Sequence, residues 1–125
     1  FLHHPVMPVI RGSSYWAHGL ADAGELLNIS SETGIVLILQ GHKHRFAVVE
    51  VNVPAREARV VISAAGAPLM PFWDPAYHVI DVTDTQIVVH PREYRDGRFR
   101  GNGTYCFGQA EERNDVPMVA AHVTA

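Results

Sequence analysis

Residues 35–44 read Ile-Val-Leu-Ile-Leu-Gln-Gly-His-Lys-His, and this stretch decides the fold prediction. Five uninterrupted apolar residues, followed by Gln40 and Gly41, are typical of a strand that is buried on both faces. His42 and His44 follow directly after that strand. Ligands of open α/β sheets bind beyond the carboxyl ends of the strands, and imidazole is the commonest metal ligand in proteins. The stretch therefore predicts a metal site at one edge of a sheet.

The chain upstream of this strand predicts a helix and an earlier strand. Over about residues 18–29 apolar residues recur on one helical face, and Asp22 with Glu25 resembles a capping box. Phe1 and Leu2 have the character of the tail of a strand. A strand–helix–strand crossover makes its two strands parallel. Their carboxyl ends then lie at the same edge of the sheet.

This topology is expected to bring histidines from both ends of the crossover together. His3 follows the first strand, and His42 and His44 follow the second. Histidines at i and i+2 on extended chain project to the same side. The predicted metal ligands are therefore His3, His42 and His44, while His4 is expected to support the site without binding metal.

The chain after residue 45 is predicted to be rich in β structure, with Pro and Gly marking the connections. Four runs are expected to pair as two hairpins: 46–53 with 59–64, and 77–82 with 86–91. From Arg92 onward the sequence predicts loop, at most one late strand and a poorly ordered tail. The expected organisation is one domain over 1–91 and a loop-rich extension over 92–125.

Composition excludes several classes of function. The net charge of −3 provides no basic excess for general nucleic-acid binding. No apolar run approaches the roughly 18 residues that a membrane span needs. Cys106 is the single cysteine, so no intrachain disulfide is possible, and a cytoplasmic location is expected.

Two motifs of the chain resemble those of a known family. Residues 2–5, Leu-His-His-Pro, and residues 39–45, Leu-Gln-Gly-His-Lys-His-Arg, look like the last two motifs of the calcineurin-like metallophosphoesterases. The resemblance covers roughly residues 1–90 and extends to the order of loop, helix, buried strand and hairpins. It implies an α/β fold, the C-terminal half of a four-layer α/β/β/α sandwich.

The resemblance also implies an activity and a ligand set. His3 and His42 would bind one metal ion and His44 a second, with Mn, Fe, Zn or Co as divalent or trivalent candidates. The whole enzyme would hydrolyse a phosphomonoester or a phosphodiester. The family's earlier motifs, Asp-x-His, Gly-Asp-x-x-Asp and Gly-Asn-His-Asp/Glu, do not occur in these 125 residues. We therefore expect a fragment that is inactive alone and that associates with itself or with a missing N-terminal half.

Two other functions fit the same residues. A mononuclear hydrolase would use His3, His42 and His44 with an open fourth position. A non-catalytic, β-rich binding module would carry the histidines without using them. Metal stoichiometry distinguishes the three hypotheses, which predict two ions, one ion or none in the complete protein.

Overall fold

The structure is a computed structural model that describes residues 1–7, 19–42, 44–53, 56–69 and 75–108. Its elements in chain order are α1 (Ala23–Thr33), β1 (Leu37–Gln40), β2 (Ala47–Val53), β3 (Ala58–Ala64), β4 (Ala76–Val82), β5 (Gln86–Arg95), β6 (Arg98–Gly101) and β7 (Tyr105–Gly108). No helix among the described residues is long and apolar enough to cross a membrane.

The helix begins and ends later than the predicted span of 18–29. Asp22 occupies the N-cap position, as the sequence indicated, but its side chain makes no capping hydrogen bond. The helix ends at Gly34, which adopts a left-handed φ of 73° and donates its backbone N–H to the carbonyl of Ser30. Glycine adopts this conformation without the Cβ penalty of other residues, so Gly34 determines where the helix stops.

The first sheet, which we call sheet A, has the strand order β1-β3-β2. Strand β1 pairs with β3 in parallel, and β2 pairs with β3 as an antiparallel hairpin. On the other side of β1, Leu2 forms a parallel bridge with Gln40, and its backbone N–H donates to the carbonyl of Leu39 over 2.7 Å. The predicted parallel crossover and first hairpin are therefore present.

The second sheet, sheet B, is built around β5. Strand β4 pairs antiparallel with one side of β5, and β6 and β7 pair with successive parts of its other side. The hairpin of β4 and β5 agrees with the prediction. After residue 91, however, the chain forms strands where a loop was expected. Strand β5 continues to Arg95, and β6 and β7 complete the sheet as far as Gly108. The predicted tail beyond Gly108 lies outside the described residues.

Two apolar layers hold the described part of the chain together. Ile38, Val60 and Ile62 pack with the helix on one face of sheet A. On its other face, Val48 and Val61 pack against residues of sheet B that include Ile87 and Val89. Because side chains alternate along a strand, sheet A sends one set to each layer. The α/β class has this physical basis. The expected burial of the apolar run on both faces is met only in part: Ile38 is buried, whereas Leu39 remains 40% exposed.

The two sheets approach closely at the connection between β3 and β4. A Cβ added to Gly66 would lie 2.8 Å from the Cβ of Ala76, so glycine is required there. Nearby, the Oγ of Ser63 in β3 lies 2.7 Å from Nδ1 of His78 in β4. His78 Nε2 is buried and makes no hydrogen bond within the described structure. Burial lowers the pKa of His78 below its ordinary value of 6.5, because desolvation disfavours the imidazolium.

This lowered pKa predicts a loss of stability in acid. The unfolded chain takes up a proton on His78 near pH 6.5 and the folded chain only at lower pH. The free energy of unfolding should therefore fall as the pH drops below about 6.5, and the His78 contribution levels off below the folded pKa. Urea unfolding of the wild type and of His78→Gln at pH 7.5 and pH 5.5 measures this change in the free energy of unfolding.

The variant should lose less stability between these two pH values than the wild type loses. Tyr77→Phe, at an exposed position of the same strand, removes no histidine; it is the matched control and should lose as much as the wild type. Equal losses in the wild type and His78→Gln would contradict the assignment.

Candidate metal centre

The candidate site lies where the chain leaves the parallel pair formed by Leu2 and β1. The bridge between Leu2 and Gln40 places the segment that starts at His3 beside the turn that starts at Gly41. A Cβ at Gly41 would approach the carbonyl oxygen of His3 to 3.7 Å, an ordinary contact distance. Thus the two histidine-bearing segments lie side by side, as the crossover argument requires.

A buried amide fixes these two segments relative to each other. Gln40 is only 5% exposed, and its Oε1 accepts the backbone N–H of Val6 over 2.7 Å. The same side chain lies 3.4 Å from both the N–H and the carbonyl of Met7. The backbone N–H of Leu20 then donates to the carbonyl of Pro5 over 3.0 Å. The loop after His3 is therefore attached both to the end of β1 and to the segment that leads into α1.

Three imidazoles contact one another at this edge. His3 Nε2 and His42 Nδ1 are 2.9 Å apart, and the centroids of their rings are 4.9 Å apart. The ring of His4 lies 5.4 Å from that of His3 and 5.2 Å from that of His42. Since the two facing nitrogens are at hydrogen-bond distance, one ring donates its N–H and the other accepts. Removal of that proton would leave a lone pair on His3 Nε2 and another on His42 Nδ1, both facing the space between the two rings.

The backbone at the second histidine motif differs from the extended chain that was expected. His42 has a φ of 76° and His44 a φ of 53°, both in the left-handed region. The expectation that an i, i+2 pair projects to one side holds for extended chain only, so it does not apply here. A non-glycine residue in this region costs roughly 1–2 kcal/mol. The surrounding contacts must therefore maintain this turn against a local energetic cost.

The structure assembles only part of the predicted ligand set. It brings His3 and His42 together and adds His4, which the sequence argument had kept out of direct ligation. His44 is half-buried two residues beyond His42. Among the residues the structure describes, no group of three or more His, Cys, Asp or Glu side chains is arranged to hold a metal ion. Lys43, between the two histidines, lies outside those residues.

Sequence reasoning missed Gln40 as a positioning residue. It had been used only as the polar boundary of an apolar run. A polar side chain that is buried at the end of a strand needs hydrogen-bond partners inside the protein. That requirement is the signal that could have identified it, although the partners in the loop cannot be named from spacing alone.

Comparisons with known proteins identify the fold. No protein-family model matches the chain, and no curated protein sequence matches it. Vacuolar protein sorting 29 (Vps29) from Cryptosporidium parvum matches in structure with a TM-score of 0.53 and 18% identity, over 80% of this chain and 50% of that one. A double mutant and a single mutant of Vps29 from Entamoeba histolytica each match with a TM-score of 0.50 and 15% identity. They cover 70% and 79% of this chain and 48% and 53% of theirs.

These likenesses concern the fold. The chain has a mixed α/β fold that corresponds to part of the fold of these Vps29 structures. It spans about half the length of these structures.

The Gln40 contacts predict a stability effect that reaches the site. In Gln40→Leu the buried N–H of Val6 loses its acceptor, and an unsatisfied buried group costs about 1–3 kcal/mol. The free energy of unfolding, measured by urea denaturation, should fall by that amount.

Gln86→Leu, at an exposed position of β5, is the matched control and should change stability by less than about 0.5 kcal/mol. In the Gln40 variant the imidazole resonances of His3 and His42 should also shift in NMR spectra, because their two segments lose a common anchor. An unchanged stability would show that the amide does not hold the loop.

Proposed function

We propose that this chain forms the histidine-bearing part of a metal-dependent phosphoesterase. The observation that carries the proposal is the 2.9 Å separation of His3 Nε2 and His42 Nδ1 at the sheet edge. Two segments that are 39 residues apart in sequence meet there through their imidazole nitrogens. The metallophosphoesterase-type fold supports this reading, as does the sequence resemblance of the two motifs.

The spacing of the two nitrogens fits shared coordination of one ion. Imidazole–zinc bonds are about 2.0–2.1 Å long. Two such ligands at angles of 90–110° around the ion would therefore lie roughly 2.9–3.4 Å apart. In this proposal His3 and His42 hold one ion and His44 belongs to a second. Mn, Fe, Zn and Co remain the candidates, because nitrogen and oxygen sites accept all four.

The chemistry divides between metal ions and protein. When bound, a pair of ions would activate water and stabilise the charge on the phosphoryl oxygens. The residues of this chain would hold the ligand imidazoles in position. Gln40 holds the loop of His3 against β1, and the left-handed turn at His42 directs the second imidazole towards the first. The substrate in this proposal is a phosphate ester, and the protein acts in the cytoplasm.

The remaining ligands would come from outside the residues described. The family motifs that supply carboxylate and Asn ligands do not occur in this sequence. Since the chain spans about half the length of the Vps29 structures, we assign those ligands to the other half of a complete metallophosphoesterase domain. Imidazoles alone provide no negative charge to hold two cations close together.

One observation favours a second candidate, a non-catalytic binding module. The described residues offer no ready group of three metal donors, which is also unfavourable for the mononuclear three-histidine hydrolase. A structural relative is named for a role in vacuolar protein sorting. Such a module would keep the fold and the apposed histidines without any metal requirement.

Titration with Zn²⁺ distinguishes a metal site from a histidine cluster without function. We expect measurable binding by calorimetry in the wild type. His42→Ala should weaken it by at least about tenfold, the scale at which even the loss of supporting partners acts at metal sites.

His90→Ala, which removes a histidine of sheet B, is the matched control and should bind as the wild type does. Equal Zn²⁺ affinity in the wild type and His42→Ala would refute the proposed ligand.

The chain alone should have negligible phosphoesterase activity, with or without Mn²⁺, because it lacks carboxylate and Asn ligands. Turnover of bis(p-nitrophenyl) phosphate by the purified chain tests this. In a protein that also contains the other half of the domain, His42→Ala should abolish most of the activity. Metal-dependent turnover by the chain alone that His42→Ala removes would show that the imidazoles suffice.

A further inference from the structure

Three imidazoles at the carboxyl end of β1 form a compact triangle. The ring centroids of His3 and His42 are 4.9 Å apart, and the centroid of His4 lies 5.4 Å from the first and 5.2 Å from the second. Imidazoles that each bind one zinc ion through a nitrogen at about 2.0–2.1 Å, with tetrahedral angles between them, have their centroids roughly 5 Å apart. The separations of all three rings therefore match a single ion at the centre of the triangle.

The ring of His4 differs from the other two in its orientation. His3 Nε2 and His42 Nδ1 already face each other over 2.9 Å, whereas no three side chains of the described residues are arranged to hold an ion. The plane of the His4 ring is tilted by 74° from that of His3 and by 49° from that of His42. A nitrogen of His4 has to turn towards the centre of the triangle before it can bind metal.

The surroundings of His4 permit this rotation. The backbone is fixed on both sides, because Leu2 forms a bridge with Gln40 and the N–H of Val6 donates to Gln40 Oε1 over 2.7 Å. Pro5, which follows directly, is buried. The side chain of His4 is exposed instead. Since exposed side chains change rotamer within picoseconds to nanoseconds, the ring can turn while the loop stays in place.

The contacts of His4 do not suit a purely supporting role. A residue that supports a metal-binding histidine forms a hydrogen bond with the second ring nitrogen of that histidine. Within the described structure His4 makes no hydrogen bond to His3 or His42, and it meets them only through ring contacts. A supporting role lacks the bond that it requires, whereas a ligand role requires only the rotation of one exposed ring.

We propose that His4 binds the ion that the proposed function, on which this inference rests, assigns to His3 and His42. This assignment replaces the supporting place that the sequence had suggested for His4. Three neutral imidazoles are a donor set that suits zinc, and they leave the fourth position of a tetrahedral ion open. A water molecule or a ligand from the other half of the domain can occupy that position.

The Zn²⁺ affinity of variants, measured by calorimetry, tests whether His4 contributes to binding. His4→Ala should weaken binding at least about tenfold, as His3→Ala should. Because the His4 side chain is exposed, this variant should fold as the wild type does, which circular dichroism verifies. Asn28→Ala, at an exposed position of α1, is the matched control and should bind Zn²⁺ as the wild type does.

A thiol in place of the imidazole tests direct contact with the metal. Co²⁺ bound to His4→Cys should show the near-ultraviolet charge-transfer absorption of a cobalt–thiolate bond, because a thiol that binds a metal ion is deprotonated. The wild type should lack this band although it contains Cys106, which is exposed in β7. Asn28→Cys places a second thiol far from the triangle and should lack the band as well. A side chain that only supports His3 would not produce it.

Two results would overturn the proposal while leaving the proposed function intact. The first is a wild-type Zn²⁺ affinity in His4→Ala when His42→Ala has lost affinity. The second is a His4→Cys variant that binds Co²⁺ without the thiolate band. Unchanged Zn²⁺ affinity in His42→Ala would instead refute the metal site itself, and with it the role of His4.

Discussion

The buried amide of Gln40 is the interaction on which the arrangement of the site depends. Its Oε1 accepts the N–H of Val6 at 2.7 Å, 34 residues away in sequence. A primary amide at a position that is 5% exposed must satisfy its donors and its acceptor within the protein. The loop backbone between Pro5 and Met7 provides that satisfaction, and this places His3 beside the turn that follows β1. The contact thus links strand packing directly to the geometry of the imidazoles.

Much of the fold could be predicted from sequence because its elements have strong local signals. The apolar run that ends at Gln40 predicts a buried strand, and the crossover rule then fixes the parallel direction of Leu2 relative to β1. The spacing of the β runs predicts both hairpins. Element ends were less accurate, since they depend on particular hydrogen bonds. The helix extends to Thr33 because Gly34 closes it, and Asp22 begins it without the side-chain bond that the capping box implied.

The late strands were missed for a tertiary reason. The segment from Arg92 to Gly101 is rich in arginine and glycine, a composition that suggests a solvated loop. In the structure the carboxylate of Glu93, 7% exposed, accepts a hydrogen bond from Asn102 at 2.6 Å and pairs with Arg95. These contacts bind the connection after β6 to β5. No local pattern encodes such a partnership, because it depends on the pairing of strands.

The candidate site, too, could be predicted from the sequence only in part. Topology was sufficient to bring His3 and His42 to one edge, since parallel strands end together. The relation of His42 to His44 was not predictable from an i, i+2 rule, because both residues adopt left-handed φ values. Contact of His4 with both rings is likewise a property of the folded loop. Long-range topology was therefore a better guide to the meeting of these histidines than local spacing.

The most direct test of the central claim is anomalous diffraction from a crystal of the chain grown with Zn²⁺. The account predicts a zinc peak bonded to His3 Nε2 and His42 Nδ1, each at about 2.0–2.1 Å. A structure in which the two imidazoles keep their 2.9 Å contact while zinc binds elsewhere would contradict it.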